Sequence, residues 1–450
     1  MAPRAQPVRV AVLGAGVRGT EFSRRVRRSG GVVVAVAEPN QARRDRLGGE
    51  HSIAPESRYD DWRQFAARGP GHADAVLITT QDFDHVDPCE RFAELGYHIL
   101  CEKPMAPNEP DAVRMATAVQ QAGVLFAVCH ILRYTRYTQA LKELLDSGRI
   151  GQVMCIQHLE PVGWWHFAHS YVRGNWRREE LSSSLLMAKC CHDLDWLGYL
   201  IGSRPRQVAS FGRLSHFRSA QRPAGAADRC LECAVEPDCP YSAPRLYRRC
   251  LGDPRREHWP LGPVTNIATE AAVTAALAKG PYGRCVYDCD NDAVDHQVVA
   301  LDYDNGVTAT HTVTAFTDKA ERKTRIFGTH GCIDGDGYQL TVYDFRTGPT
   351  AASQTITPYP SQGPDQVSPH GDGDQNLVNS FLTAVTIGDP TPILSGPSES
   401  VDSHRVVWAA EHARRTGTVV TLIPHPPVAE PRNLPEVGTA SIPACRTQPS

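Results

Sequence analysis

Lysine is scarce in this 450-residue chain: of 47 basic residues only six are lysines, and the other 41 are arginines. An arginine is therefore weak evidence for a site, whereas each lysine is informative, because of the two only lysine titrates within a catalytic range. Long apolar runs are missing too. Stretches such as Val32 to Ala37 fall far short of the roughly 20 residues that span a bilayer. There is no excess of one charge: the net charge of −3 gives no general drive toward nucleic acid or an anionic membrane. Low-complexity bias is absent as well, and 41% hydrophobic against 22% charged residues excludes disorder and supports a large core. The length favours two domains. Met1 to Pro7 lacks the apolar stretch of a signal peptide. A chain this long needs no disulfide framework for its 14 cysteines, which suits a reducing compartment. The expectation is a soluble, globular, cytoplasmic protein.

Residues 1–130 alternate short apolar runs with longer mixed stretches. Segments 8–13, 32–37, 74–79, 97–101 and 124–129 read as buried strands, with helix-length segments such as 18–29 and 111–122 between them. This alternation implies right-handed crossovers and a parallel sheet covered on both faces. From residue 131 to 424 the texture is that of an α+β domain. Segments 137–147 and 182–201 read as helices, the second opened by serines as candidate caps and closed by Gly202. Segments 153–160, 297–303, 307–316 and 324–328 read as strands, Asp304-Asn305-Gly306 as a hairpin turn, and 376–386 and 401–416 as late helices. Strands in succession predict a large open, mainly antiparallel sheet. Residues 217–284, rich in Arg, Pro and Cys, read as an insertion, and 425–450 as a proline-rich arm or tail.

Gly14-Ala15-Gly16-Val17-Arg18-Gly19 is G-x-G-x-x-G set between a strand and a helix. The first glycine permits the tight turn, the second lets main chain approach a pyrophosphate, and the third brings helix against strand. Glu38 stands 19 residues past Gly19 at the end of the next strand, where a carboxylate accepts ribose hydroxyls. The segment reads as a dinucleotide site. Glu38 favours NAD by repelling a 2′-phosphate, while Arg43 and Arg44 keep NADP open.

Cys101-Glu102-Lys103-Pro104 follows a later strand, and Cys191-His192-Asp193-Leu194-Asp195 lies within a predicted helix. In order and spacing, these motifs and the glycine fingerprint resemble the Gfo/Idh/MocA family of NAD(P)-dependent oxidoreductases. Ser403-His404-Arg405 with 409–414 resembles its C-terminal helix, so the likeness covers about residues 8–423. It implies a Rossmann domain over 1–130, with NAD held by Gly14, Gly16, Val17, Arg18, Gly19, Glu38, Thr80, His85, Glu102 and Lys103. It further implies hydride transfer from a secondary alcohol, Lys103 holding the substrate oxygen and His192 taking and relaying the proton. A homodimer or homotetramer, paired through the exposed face of the second sheet, is implied as well. The chain departs from the family four residues before His192. Many members carry Asp there; here Ala188 is followed by Lys189. Helical spacing puts Lys189, His192, Asp193 and Trp196 on one face, so Lys189 either joins the catalytic groups or pairs with Asp193.

Polar and aromatic residues crowd the approach to that helix. His130 and Tyr134 follow the fifth strand; His166, His169, Arg173, Asn175 and Trp176 come next, and Asp193 lies beside His192. Such a mixture suits a polyhydroxylated ring, which packs its C–H face on aromatics and hydrogen-bonds widely. His370-Gly371-Asp372-Gly373-Asp374 is a candidate further wall. The expected activity is NAD-dependent oxidation of a ring hydroxyl in a sugar, glycoside or cyclitol. The alternative is NAD-dependent glycoside hydrolysis by transient C3 oxidation, elimination, water addition and re-reduction. A non-catalytic NAD-bound sensor is a third reading, against which Lys103 and His192 argue.

Cys230-x2-Cys233-x5-Cys239, followed by Cys250, has the spacing of a tetrahedral metal site, with a structural Zn²⁺ as the first reading. Cys285 and Cys289 are further candidates for the fourth ligand. An iron–sulfur cluster, free thiols and disulfides are the alternatives.

Overall fold

The computed structural model describes residues 6–350, 352–359 and 370–423, so the expected tail at 425–450 lies outside the described residues. Sheet A holds β1 (Arg9–Leu13), β2 (Val32–Ala37), β3 (Arg58–Tyr59), β4 (Ala75–Ile78), β5 (His98–Cys101) and β6 (Phe126–Val128). All are parallel, in the order β3-β2-β1-β4-β5-β6. The apolar runs are continuous because both faces are covered. Along β1, Ala11 and Leu13 enter one apolar cluster while Val10 and Val12 enter the other.

Sheet B holds β7 (Val153–Pro161), β8 (Pro205–Arg213), β9 (His296–Tyr303), β10 (Thr308–Thr314), β11 (Lys323–Gly328), β12 (Gly331–Gly335), β13 (Leu340–Asp344), β14 (Ala352–Ile356) and β15 (Val420–Thr421). The order is β14-β13-β12-β11-β7-β10-β9-β8-β15, antiparallel throughout except between β7 and β10. Burial alternates along β9 and β10, as expected of a sheet with one face packed and the other open. Gly306, with φ +83°, makes the turn between them.

The packed face receives the helix Leu185–Ile201. Ser184 caps it, its Oγ accepting the Met187 amide (3.2 Å), and Gly202 ends it at φ +64°. This helix is buried nearly all round because it is wedged between sheet B and the nucleotide domain. The insertion has a small core of its own, built on Cys230, Ala243, Tyr247, Cys250, Leu261, Val273, Leu277 and Tyr282. It is not a detached lobe. His258 Nε2 lies 3.7 Å from Glu21 on the helix Val17–Arg28, and the Trp259 ring packs edge-on to His166 at 4.8 Å. No described helix is long and apolar enough to cross a membrane.

Candidate active site

The glycine turn sits at the C-terminal edge of sheet A between β1 and β4. There the strand order reverses, and open α/β sheets take their ligands at such a point. Each glycine is required for its own reason. Gly14 has φ +91°, and a Cβ there would lie 2.6 Å from the Thr79 carbonyl oxygen. A Cβ on Gly19 would fall 1.9 Å from the Gly14 carbonyl oxygen. At Gly16 a Cβ would meet nothing within 4 Å, so the approach there is open. The helix Val17–Arg28 begins at this point with no side-chain cap, leaving its first amides for a phosphate. Glu38 accepts the Ala15 amide (2.7 Å) through one oxygen and the Asn40 amide (2.9 Å) through the other, which anchors it to the loop. Open main chain, unspent amides and an anchored carboxylate fit a dinucleotide. Sequence reasoning missed Thr79, whose hydroxyl donates to the Gly14 carbonyl (2.8 Å) and pins the turn.

The other expected cofactor residues mostly hold loops together. Thr80 donates to the Asp84 carbonyl (3.0 Å), and buried His85 places Nδ1 3.0 Å from the Pro104 carbonyl oxygen. Arg18 pairs with Glu102 and, at 2.7 Å, with Asp374, joining the glycine-loop helix to the Lys103 loop and to the 370–374 stretch.

Lys103 and His192 come from different domains and meet. Lys103 Nζ donates to the Ala188 carbonyl (2.6 Å), and His192 stands one helical turn further along the same face. Burial, with Lys103, Arg322 and Lys189 nearby, holds the His192 imidazole well below its ordinary pKa against the pull of Asp193. The ring is therefore neutral at neutral pH. Arg322 Nη2 lies 2.9 Å from His192 Nε2; a guanidinium only donates, so Nε2 accepts and Nδ1 carries the hydrogen. Among the described residues Nδ1 has no hydrogen-bond partner.

Behind His192 runs a buried row of charge. Lys189 Nζ lies 2.8 Å from Glu160 Oε1, Arg322 Nε lies 2.9 Å from Glu160 Oε2, and Arg322 Nε donates to Asp193 Oδ1 at 2.6 Å. The two Glu160 contacts are at ion-pair distance without hydrogen-bond geometry. Burial alone would raise the Asp193 carboxyl, but the Arg322 guanidinium and the His158 hydrogen bond hold it well below the usual carboxylate range. His370 packs edge-on to His192 with ring centres 6.2 Å apart, and its Nδ1 lies 3.5 Å from Asp374, so the 370–374 stretch does reach the site. A cavity of about 420 Å³, of ligand size, opens beside Arg322 and His370 and is also lined by Trp196, Tyr338 and Tyr359.

Several expected site residues are placed differently. Lys189 pairs with Glu160 and not with Asp193. Asp193 is fully buried under Arg322 and His158, so it supports His192 instead of meeting a substrate. Tyr134 is buried, its hydroxyl accepting the Leu394 amide (2.7 Å). His130 is buried 3.7 Å from Asp195, and burial pushes it down to about 4. His166 remains by the site: burial, then Lys189, lowers its pKa well below the ordinary value. His169 and Arg173 turn away, because Ala168–Arg173 winds as a wide helical turn buried against the insertion. His169 Nδ1 lies 2.8 Å from the Tyr247 hydroxyl, and Arg173 donates to the Arg284 and Tyr241 carbonyls. Asn175 is exposed, and Trp176 packs on Tyr171. Glu160 and Arg322 were missed. A carboxylate ending a buried strand was a usable signal for Glu160. Arg322 sits in Lys319-Ala320-Glu321-Arg322-Lys323, which has the composition of solvated surface, and nothing marked it.

Cys230, Cys233 and Cys239 border one small cavity, as their spacing suggested, but Cys250 does not join them. Its thiol donates to the Leu246 carbonyl (3.4 Å) within the insertion's own core, and Cys285 lines the cavity instead. Among the described residues no set of three or more His, Cys, Asp or Glu side chains is placed to hold a metal ion.

The sequence matches two family descriptions in succession: "Oxidoreductase family, NAD-binding Rossmann fold" over residues 8–130, and "Oxidoreductase family, C-terminal alpha/beta domain" over residues 142–422. The chain is 31% identical over 224 residues to inositol 2-dehydrogenase of Streptomyces avermitilis, covering 49% of this chain and 60% of that protein. It is 30% identical over 144 residues to 2,7-anhydro-N-acetylneuraminate hydratase of Escherichia coli, covering 32% and 38%. Its fold is similar to that of a levoglucosan dehydrogenase solved with NADH and levoglucosan, with TM-score 0.68 at 17% identity, over 92% of this chain and 99% of that one.

Proposed function

This chain belongs to the Gfo/Idh/MocA oxidoreductase family, and on that premise we propose that it oxidises a ring hydroxyl of a sugar, glycoside or cyclitol at the expense of NAD. One observation carries the reading: the Lys103 ammonium, on the loop after β5, is held one helical turn from the neutral His192 imidazole. NAD supplies the hydride acceptor when bound at Gly14, Gly16, Gly19 and Glu38. Lys103 stabilises the substrate oxygen as its O–H bond weakens. His192 takes the proton at Nε2, where the substrate hydroxyl replaces the Arg322 N–H. Asp193 and Glu160 keep Arg322 in place and offset the charge that the ring then acquires. The cyclitol and sugar relatives support this substrate class.

The second reading, redox-neutral cleavage or hydration, draws on two observations. Lys189 stands near both His192 and His166, which gives the site additional acid/base groups, and one relative is a hydratase. Pairing of protomers through the open face of sheet B is supported by Phe211 and Val298, which lie opposite each other on β8 and β9 and are exposed.

A panel of sugars, glycosides and cyclitols incubated with protein and NAD separates these readings. Stoichiometric NADH supports the dehydrogenase. Loss of the substituent on catalytic NAD without net NADH supports cleavage, and tight NAD binding without turnover on any compound opposes both.

A further inference from the structure

We propose that Cys230, Cys233, Cys239 and Cys285 together bind one structural Zn²⁺, with buried Arg173 as the counter-cation of the resulting tetrathiolate. The chain builds the site from two strands of main chain. An antiparallel bridge pairs Arg229 with Arg284, so Cys285 stands opposite Asp228 and Cys230 lies diagonally across from it on the same face, its Sγ 3.9 Å from the Arg284 carbonyl oxygen. The Cys285 amide donates to the Asp228 carbonyl (2.8 Å) and fixes that register. A tight turn, with the Cys233 amide donating to the Cys230 carbonyl, brings the second cysteine of the C-x2-C pair round, and Cys239 follows after another short turn. All four line a single cavity of about 20 Å³, room for little more than one water molecule or one ion.

Hydrogen-bond donors reach two of the sulfurs. The Ala227 amide donates to Cys233 Sγ (3.4 Å) and Arg173 Nη2 donates to Cys230 Sγ (3.4 Å). Hydrogen bonds of this kind favour the charged sulfur, the form that binds metal. Cys289 and Cys250 do not border this cavity; their thiols donate to the Cys285 and Leu246 carbonyls.

Arg173 supplies the independent argument. It is among the largest fully buried side chains of the protein, and among the described residues its guanidinium meets carbonyls and one sulfur but no carboxylate. Its Nη1 has no hydrogen-bond partner there. A buried cation needs a compensating anion. Four thiolates around Zn²⁺, each cysteine having released its proton, carry a net charge of −2 and provide one. As they stand no three of the sulfurs are placed to hold an ion, so capture requires rotation of thiols that already border the same void. Through its contact with Cys230, Arg173 would link the bound ion to the segment that presents His166.

Metal content of the full-length protein, purified from zinc-supplemented medium, tests this. The proposal expects about one equivalent of zinc per chain, kept by Cys250→Ser and lost by Cys285→Ser. Should Cys285→Ser fail to fold, cobalt substitution of the unaltered protein gives a second reading. Tetrahedral, sulfur-dominated cobalt bands support the site; octahedral bands or no uptake overturn it. Iron in place of zinc, zinc far below stoichiometry, or zinc lost by Cys250→Ser and kept by Cys285→Ser would each overturn it as well.

Discussion

The two walls of the cleft are made in different ways. On the nucleotide side the work is done by main chain: glycines without Cβ atoms, uncapped amides, and a carboxylate anchored to backbone. On the second-domain side it is done by buried side-chain charge, with Lys189, Glu160, Arg322 and Asp193 alternating in sign behind His192. A main-chain site fails through steric intrusion and is nearly indifferent to pH. A charged site fails through the loss of one partner, because the other is then buried and uncompensated.

The largest effect should come where the two walls meet. Lys103→Ala should lower kcat by about 10³-fold while NAD affinity, followed by fluorescence titration, stays close to that of the unaltered protein. Equal losses in both would place Lys103 on the main-chain side of the contrast. Arg322→Met leaves Glu160 and Asp193 facing each other with too little positive charge and should cost about 3–5 kcal/mol in urea unfolding. It should also let His192 protonate at higher pH, moving the acid limb of the kcat/KM profile upward. A variant as stable as the original would mean that the charge row is solvated.

The acid response sharpens the same contrast. Burial pushes His130 down to about 4 and His169, His311 and His404 down to about 3. Below about pH 6.5 the unfolded chain takes up protons that these rings refuse when folded. Their contribution is complete above that pH and is lost as pH falls toward 4 and 3, at up to about 1.4 kcal/mol per pH unit for each ring. A urea midpoint that is flat from neutral pH down to about 4.5 would contradict this. Smaller effects belong to the glycine turn. Gly19→Ala should destabilise by about 1–3 kcal/mol. Gly16→Ala should barely alter stability yet weaken NAD binding, since its methyl enters only the open approach. Smallest of all, His258→Ala removes a half-exposed contact to Glu21 and should cost less than about 1 kcal/mol in thermal unfolding.

The same difference decides what could be read in the sequence. Sheet A was legible because strands covered on both faces are continuous apolar runs, and the glycine loop because only glycine satisfies Gly14 and Gly19. Lys103 and His192 were legible from motif and scarcity. Arg322 was not, since its role comes from the register of β11 against β7 and its residue type is the commonest cation in the chain. The burial of His169 and Arg173 against the insertion was not legible, because spacing cannot tell which face of a turn an insertion will cover. Cys285 was one of two further candidates, and only the folded chain, which pairs Arg229 with Arg284, brings it rather than Cys250 to the cavity that Cys230 lines.

The most direct measurement is a crystal structure of the protein with NAD and a bound sugar or cyclitol. The account predicts one substrate hydroxyl within about 2.6–3.2 Å of both Lys103 Nζ and His192 Nε2, on the carbon facing the nicotinamide. Lys103 still bonded to the Ala188 carbonyl, with the substrate hydroxyls held elsewhere, would contradict it.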